Sequence, residues 1–240
     1  MRVLTAKKQY EGKRFSVLGD SISTLDGYSV PSDAAFYSGV EKLKADVYTP
    51  TDTWWGIVIN RLGAELLVNN SISGSMVIKH RACMIESYGC SDERTSSLGR
   101  DGITPDVIMI FMGINDWGCG ARVVPAEESH ESDISVFSTA YGTMLDKLSS
   151  RYPDCELWCL TLPVSTWSER EDFEYPYLYG GRHLTEYCDV IRTVASGHGC
   201  RVIDVFDSDT PYDTIDGFHP NFDGMRTISD AVIKSLNLEE

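Results

Sequence analysis

The sequence contains no long hydrophobic run. No stretch of about 18 apolar residues occurs among its 240 residues, so we predict no membrane-spanning helix. The N-terminal segment, residues 1–15, is basic and lacks the apolar core of a secretory signal. We therefore expect the chain as given to be cytoplasmic, although a secreted protein whose signal peptide was removed would leave the same pattern.

Positive charge is scarce in this chain. It has 21 Lys and Arg residues against 36 Asp and Glu residues, and its formal net charge is −15 at pH 7. Nucleic acids and anionic membranes bind through a basic face, so this balance argues against both as partners. It favours a soluble protein with a neutral or cationic partner, although an acidic surface is most often simply solvated.

Cofactor and metal motifs are also missing. The seven cysteines form no Cys-x-x-Cys pair and no compact Cys/His cluster, so we expect buried, reduced thiols and no metal site. There is no phosphate-binding loop, no Gly-x-Gly-x-x-Gly and no His-Glu-x-x-His, so no organic cofactor is predicted. The absence of Gly-x-Ser-x-Gly argues against the common α/β-hydrolase arrangement.

Five short apolar runs recur along the chain with helical patterns between them. The runs are almost continuously apolar, which is typical of parallel strands covered on both faces. Their alternation with helices predicts right-handed β-α-β crossovers, one parallel sheet and a single domain over residues 1–240. The predicted strands are 14–19, 65–70, 106–113, 155–163 and 201–206, and the predicted helices are 51–63, 133–152, 182–199 and 221–237.

Three longer segments fit this alternation poorly. They are residues 23–50, 71–105 and 164–181, and such segments in compact domains often carry function. Ligands of open α/β sheets bind at the carboxyl ends of the strands. The residues that follow each predicted strand are therefore the candidates for a functional site.

Chemically complementary residues follow the predicted strands. Ser21 comes after the first strand, Gly74 after the second, Asn115 after the third, and Asp216 with His219 after the fifth. A nucleophile, a base with an orienting carboxylate, and donors for an oxyanion are the groups that acyl transfer requires.

These residues resemble the four sequence blocks of the SGNH hydrolases, which are also called GDSL esterases and lipases. The blocks are Gly-Asp-Ser at 19–21, Gly74 in NNSISG, Gly113-x-Asn115-Asp116, and Asp216-x-x-His219. The resemblance spans residues 14 to about 236, and it departs from the family only mildly, with Ile22 in place of the usual leucine. It implies a flavodoxin-like three-layer α/β/α sandwich with a five-stranded parallel sheet in the order 2-1-3-4-5.

The resemblance also implies a serine esterase that acts on small-molecule esters without a cofactor. Ser21 would be the nucleophile, His219 its base, and Asp216 the carboxylate that holds the imidazole in the useful tautomer. The backbone N–H groups of Ser21 and Gly74 and the side chain of Asn115 would bind the oxyanion. The other histidines lack this context and are expected to be structural or solvated: His80, His130, His183 and His198.

Two further acidic residues and one aromatic loop are weaker candidates. Asp116 is expected to anchor its loop, and Asp20 is a candidate substrate contact for which a structural hydrogen-bond acceptor is the preferred interpretation. The loop at 164–181 follows the fourth strand on the catalytic side, and aromatic rings stack well on sugars. An ordinary packed surface loop is the alternative interpretation. The candidate substrate-binding residues of the loop are Trp167, Tyr175, Tyr177 and Tyr179.

The substrate class stays open at this point. The absence of an apolar lid segment favours short acyl groups, and the aromatic loop favours a carbohydrate O-acetyl or other short-acyl ester. The same triad would serve an acyltransferase, or a long-chain lipase or lysophospholipase. A non-catalytic carbohydrate-binding domain on the same scaffold is an alternative of a different class. A nucleotide-binding flavodoxin-like protein is disfavoured because the phosphate-binding loop is missing.

Overall fold

Five parallel strands form the main sheet of the computed structural model, which describes residues 8–29, 35–79, 87–124, 133–173, 182–207 and 210–236. Two shorter strands, β5 (Ser165–Thr166) and β7 (Tyr212–Asp213), pair with each other outside this sheet. The strands of the main sheet are β1 (Arg14–Gly19), β2 (Glu65–Ser71), β3 (Val107–Phe111), β4 (Glu156–Leu160) and β6 (Arg201–Ile203).

The order of the main sheet is β2-β1-β3-β4-β6, so the predicted order is confirmed. The fifth predicted strand is β6 because the two-residue β5 precedes it in the chain. Both β4 and β6 end three residues earlier than predicted. Residues just beyond these ends, such as Leu162 and Val205, are buried although they do not pair in the sheet. Their apolar character therefore reflects burial in the core and extended the predicted strands too far.

Helices flank the sheet, which gives the predicted α/β/α sandwich. Helix α2 (Trp54–Leu62) packs against α7 (Phe222–Leu236). Helix α5 (Phe137–Arg151) packs against α6 (Leu184–Gly197) and α3 (Asp92–Ser96). The helices of the described residues are α1 (Gly39–Ala45), α2 (Trp54–Leu62), α3 (Asp92–Ser96), α4 (Ile114–Gly118), α5 (Phe137–Arg151), α6 (Leu184–Gly197) and α7 (Phe222–Leu236).

The helix ends follow the local signals in the sequence. The Thr53 side chain accepts a hydrogen bond from the Gly56 N–H at 3.1 Å and caps α2, which ends at Gly63 in the left-handed conformation. The Asn221 side chain likewise accepts from the Gly224 N–H at 2.9 Å and caps α7.

Two segments that the sequence left irregular contain short helices. Helix α1 buries only Ala45 and exposes Val40 and Leu43, so it has no core-facing periodicity to detect. Helix α3 spans five residues, too few for a helical pattern. A hydrophobic pattern predicts a helix only where the helix covers the core over several turns.

Buried aromatic side chains, including Trp54 and Trp55, occupy the core. Strand β3 is buried over its whole length at the centre of the sheet. The expectation of buried thiols is wrong for Cys119, which is exposed, and incomplete for Cys155 and Cys200, which are half-buried. None of the described helices is both long and apolar enough to cross a bilayer.

Candidate active site

The first element of the site is the turn that follows β1. The Asp20 carboxylate accepts a hydrogen bond from the Ile22 N–H at 3.1 Å and caps a 3-10 turn over Ser21–Ser23. The turn folds back so closely that a Cβ at Gly19 would lie 2.6 Å from the Ser23 Cβ. Only glycine fits there, and this close return presents the Ser21 side chain at the carboxyl end of the sheet.

The second element is a tight turn between β7 and α7. Thr214 and Pro220 pair as an isolated antiparallel bridge that closes the turn. Inside it, Oδ1 of Asp216 accepts hydrogen bonds from the His219 N–H at 2.8 Å and the Phe218 N–H at 3.0 Å. The three-residue spacing therefore faces the carboxylate and the imidazole toward each other.

The two turns meet in a continuous chain of hydrogen bonds. Nδ1 of His219 lies 2.6 Å from Oδ2 of Asp216, and Nε2 lies 2.8 Å from Oγ of Ser21. A carboxylate can only accept, so Nδ1 carries the hydrogen and Nε2 is left to accept from the serine hydroxyl. Ser21 is buried and His219 half-buried, so little water competes for these bonds.

Asp216 is held in its ionised form. Partial burial raises its pKa, but the hydrogen bonds from His219 and Phe218 outweigh this effect, and the net pKa lies below the ordinary value. A carboxylate that stays charged can stabilise a positive charge on the imidazole. The arrangement can therefore take a proton from Ser21 and hold it on His219.

The third element is the loop after β2. The Ser75 N–H donates to the Ile72 carbonyl at 3.1 Å, and Gly74 within this turn has a φ of 73°, a conformation that favours glycine. Nδ2 of Asn115 donates to the Ser75 carbonyl at 3.0 Å. An amide NH₂ has two hydrogens and this bond uses one, so Asn115 is placed beside Gly74 with a second donor.

Asp116, which follows β3, anchors this loop after β2. Its carboxylate accepts from the Val77 N–H at 2.9 Å and from the Ile78 N–H at 3.1 Å. Burial raises the pKa of Asp116 to about 7. Asp20, also fully buried, has its pKa raised to about 7 for the same reason, and its bond to Ile22 agrees with the interpretation of a structural acceptor.

Sequence reasoning missed Arg94, a buried arginine beneath the site. Its guanidinium donates to the Gly19 carbonyl at 2.8 Å, to the Asn70 carbonyl at 2.9 Å and to Oγ of Ser75 at 2.7 Å, and it also bonds the Asn70 side chain. Burial lowers its pKa to about 10, which still leaves it charged at pH 7. Arg94 thus ties the ends of β1 and β2 to the Gly74 loop. In DERTS it looks like a solvated residue of a polar helix, so no local signal distinguishes it.

Sequence reasoning also missed Phe36. Its ring stacks on the His219 imidazole with centroids 3.5 Å apart and planes 10° apart. Phe36 lies in the segment 23–50, which has no apolar periodicity, so its place over the imidazole is a property of the tertiary structure.

The aromatic loop after β4 is described only in part. Tyr175, Tyr177 and Tyr179 lie outside the described residues. Trp167 is half-buried and packs edge-on against Phe173, with centroids 6.1 Å apart. Oγ of Ser165, in the same loop, donates to the Gly217 carbonyl at 2.8 Å. The described part of the loop therefore supports the turn that carries Asp216 and His219.

The other described histidines, His183 and His198, make hydrogen bonds within or next to helices. His183 caps α6 through a bond from the Thr185 N–H, and His198 bonds the Val194 carbonyl, whereas His80 and His130 lie outside the described ranges. No three His, Cys, Asp or Glu side chains of the described part converge where they could hold a metal ion.

Comparison with known proteins identifies the family. The sequence model of GDSL-like lipases and acylhydrolases matches residues 13–164, more than half of the chain. The chain belongs to the GDSL-like lipase/acylhydrolase family. This family match contains Ser21, Gly74 and Asn115 but ends before Asp216 and His219. The hydrogen bond between Ser21 and His219 joins the two parts of this GDSL-like chain in space.

Solved structures extend the similarity over nearly the whole GDSL-like chain. A candidate GDSL-like lipase from Bacteroides uniformis ATCC 8492 is 27% identical with a TM-score of 0.69, covering 93% of this chain and 95% of that one. Another from Bacteroides ovatus ATCC 8483 is 26% identical with a TM-score of 0.68, covering 92% and 96%. A carbohydrate acetylesterase from Sinorhizobium meliloti, 14% identical with a TM-score of 0.60 over 92% and 97% of the chains, shares the fold. The sequence has no match among curated proteins.

Proposed function

We propose that this GDSL-like protein is a serine esterase that hydrolyses short-chain acyl esters, with O-acetylated carbohydrates as the preferred substrate class. The observation that carries the proposal is the chain of hydrogen bonds from Ser21 through His219 to Asp216, at 2.8 and 2.6 Å. A serine hydroxyl is a weak nucleophile, and this chain supplies the base that it needs.

Acylation begins when Ser21 Oγ attacks the ester carbonyl carbon. Nε2 of His219 takes the serine proton as the new C–O bond forms, and the carbonyl π electrons move onto its oxygen. The resulting imidazolium is stabilised by the ionised Asp216. His219 then gives the proton to the leaving alcohol as the ester C–O bond breaks, which leaves an acyl group on Ser21.

The oxyanion of each tetrahedral intermediate needs donors that are already in place. We assign this role to the backbone N–H groups of Ser21 and Gly74 and to the side chain of Asn115. The bond from Asn115 to the Ser75 carbonyl, and the bonds that the Asp116 carboxylate accepts from the Val77 and Ile78 N–H groups, hold Asn115 and the Gly74 loop rigidly. Rigid donors stabilise the developing charge without reorganising during the reaction.

Deacylation repeats the same steps with water as the nucleophile. His219 takes a proton from water, which attacks the acyl carbon, and then returns the proton to Ser21 Oγ as the acyl bond breaks. The products are the alcohol and a carboxylic acid. The enzyme regains its starting state with no cofactor or metal ion in the cycle.

The preference for small acyl groups and sugars rests on the sequence. No apolar lid segment occurs in the chain, and Trp167 belongs to a loop rich in aromatic residues on the catalytic side. The fold shared with a carbohydrate acetylesterase is compatible with this preference. Aromatic faces stack on sugar rings, so this loop is the proposed contact for the alcohol part of the substrate.

One substrate panel tests the proposal. The protein is assayed on acetylated sugars and on p-nitrophenyl esters from acetate to octanoate, and it is labelled with a fluorophosphonate probe. Wild type should be labelled and should prefer acetate, whereas Ser21→Ala should lose both labelling and turnover. Ser96→Ala, a serine exposed on α3, is the matched control and should behave as wild type.

The other outcomes separate the rival functions. Labelling that survives in Ser21→Ala would refute the nucleophile, and a higher kcat/KM for octanoate would favour a long-chain lipase. Transfer of the acyl group to an added sugar faster than to water would indicate an acyltransferase. A protein that binds acetylated sugars with neither labelling nor turnover would be a binding domain on this scaffold.

A further inference from the structure

The imidazole of His219 is enclosed by partners on two edges and one face. Asp216 and Ser21 bond its two nitrogens, and the Phe36 ring lies parallel to it with centroids 3.5 Å apart. We propose that Phe36 is a positioning residue that holds the His219 ring in the plane shared by Asp216 and Ser21 and favours its protonated form. The inference builds on the proposed esterase function.

Phe36 and its neighbour Tyr37 together are tied to both catalytic turns by hydrogen bonds. Its N–H donates to Oγ1 of Thr24 at 2.9 Å, and the same Thr24 hydroxyl donates to the Ser21 carbonyl at 2.8 Å. The hydroxyl of the next residue, Tyr37, donates to the carbonyl of Pro220 at 2.8 Å, one residue beyond His219. The segment thus spans the gap between the nucleophile turn and the histidine turn. The position of the Phe36 ring follows from these anchors.

The geometry of the stack discriminates between the two protonation states of the imidazole. Two neutral aromatic rings avoid direct face-to-face contact, because their electron-rich faces repel each other. A cation over the same face is attracted to it. The parallel stack at 3.5 Å therefore favours imidazolium over imidazole. In the proposed mechanism His219 is charged as the tetrahedral intermediate forms and neutral in the resting enzyme, so the stack lowers the barrier and not the ground state.

Other ionisable groups around the site also bear on a pH profile of activity, and the ring of one of them, Tyr37, packs edge-on against Phe36 with centroids 5.1 Å apart. Asp216 is ionised, and burial raises the pKa values of Tyr37 and Tyr212 above their ordinary value, so both phenols stay neutral. Asp20, on the nucleophile turn, has a pKa of about 7 because it is buried. Asp20 therefore titrates in the range where a histidine also titrates. A profile of activity against pH alone would not distinguish the protonation of Asp20 from that of the imidazole. A probe of the His219 ring itself separates them.

The variants follow from this geometry. Phe36→Leu removes the ring face and keeps an apolar side chain, and Phe36→Tyr keeps the face. Phe206→Leu is the matched control, because Phe206 is also half-buried and lies near a cation, Arg192 of α6. Each variant is assayed for kcat and KM against pH. The His219 ring is followed through a pH titration by NMR, with its signals assigned through His219→Gln.

Phe36→Leu should lower kcat by roughly 3- to 30-fold with little change in KM, the range that a cation over an aromatic face contributes. The midpoint of the His219 ring titration should move to lower pH by roughly 0.5 to 1.5 units, because the protonated form loses its partner. Phe36→Tyr and Phe206→Leu should both match wild type in these measurements.

A Phe36→Leu variant whose ring titration stays at the wild-type midpoint would overturn the proposal, whether or not its kcat falls. If Phe36→Leu does not fold by circular dichroism, Phe36→Met supplies a second large side chain without a ring, and the same readout applies. The NMR titration needs no substrate. It therefore decides the role of the stack even if Ser21→Ala stays active and the esterase proposal fails.

Discussion

The hydroxyl of Ser21 lies 2.8 Å from Nε2 of His219, although 198 positions separate the two residues in the chain. Two turns at the same edge of a parallel sheet bring them together. Tyr37 and Thr24 fasten the segment between β1 and α2 to both turns. The distance is therefore set by several independent contacts, and each can be removed by substitution.

Asp216→Asn should lower kcat/KM by about 10³- to 10⁴-fold. An asparagine can present its NH₂ to Nδ1, which favours the tautomer with the hydrogen on Nε2 and leaves no acceptor for the Ser21 proton. The kcat/KM of the variant is measured on p-nitrophenyl acetate beside its thermal stability. Asp223→Asn, an exposed carboxylate in the first turn of α7, is the control. A loss below about tenfold would contradict the role of Asp216.

Asn115→Ala should lower kcat by roughly 100-fold or more while KM changes little, because an oxyanion donor acts mainly in the transition state. The Ser75 carbonyl also loses its partner, so a modest loss of stability is expected. Asn60→Ala, at an exposed position of α2, is the matched control. An Asn115 variant with wild-type kcat would remove this residue from the proposed oxyanion site.

Arg94→Lys should destabilise the fold by about 2–5 kcal/mol, measured by urea unfolding. Lysine keeps the charge but cannot reach the acceptors of Gly19, Asn70 and Ser75 together, so buried acceptors lose their donors. Arg100→Lys, an exposed arginine, should change stability by less than about 0.5 kcal/mol. Equal stability of the Arg94 and Arg100 variants would show that this buried network contributes nothing net.

Asp116 predicts a pH dependence of stability with a definite sign. Its pKa is about 7 in the folded protein because it is buried, and 3.8 is the ordinary value. Between about pH 4 and 7 the folded protein keeps this proton and the unfolded chain releases it, so stability falls as the pH rises. The Asp116→Asn variant has no carboxyl proton to release, so its stability lacks this fall with rising pH. The free energy of unfolding of the variant minus that of wild type should therefore increase from pH 4 to 7.

Asp106 serves as a control because its pKa is shifted in the opposite direction, below the ordinary value. Hydrogen bonds from Arg14 lower its pKa to about 2. The stability that this contact adds is fully present above about pH 4 and is lost as the pH falls through 2. The difference in stability between wild type and Asp106→Asn should thus shrink in acid. The free energy of unfolding of each variant minus that of wild type should change with pH in opposite directions for Asp116→Asn and Asp106→Asn. If both differences changed in the same direction, burial would not be the cause of the raised pKa of Asp116.

Parts of the site were predictable from single residues. Ser21, Gly74 and Asn115 follow buried strands, and the carboxyl ends of parallel strands share one edge of the sheet. Asp216 and His219 are three residues apart before a helix cap, which indicates a turn that faces them toward each other. These signals are local, so they can be read from the chain.

Other parts depend on distant contacts. Arg94 looks exposed in DERTS, yet it is buried because acceptors from β1, β2 and the Gly74 loop surround it. Phe36 has no periodic neighbours, and its place over His219 is set by Thr24 and Tyr37. The helices α1 and α3 were missed because they show the core little or no apolar face.

The sequence by itself determined the parallel sheet, its flanking helices and the residues proposed for the reaction, because apolar runs, caps and turn residues act within a few positions of the chain. The tertiary structure decided which groups touch: the bond from Ser21 to His219, the network of Arg94 and the stack of Phe36. Such contacts depend on side chains that reach across the fold, and their geometry exists only when the whole core has formed.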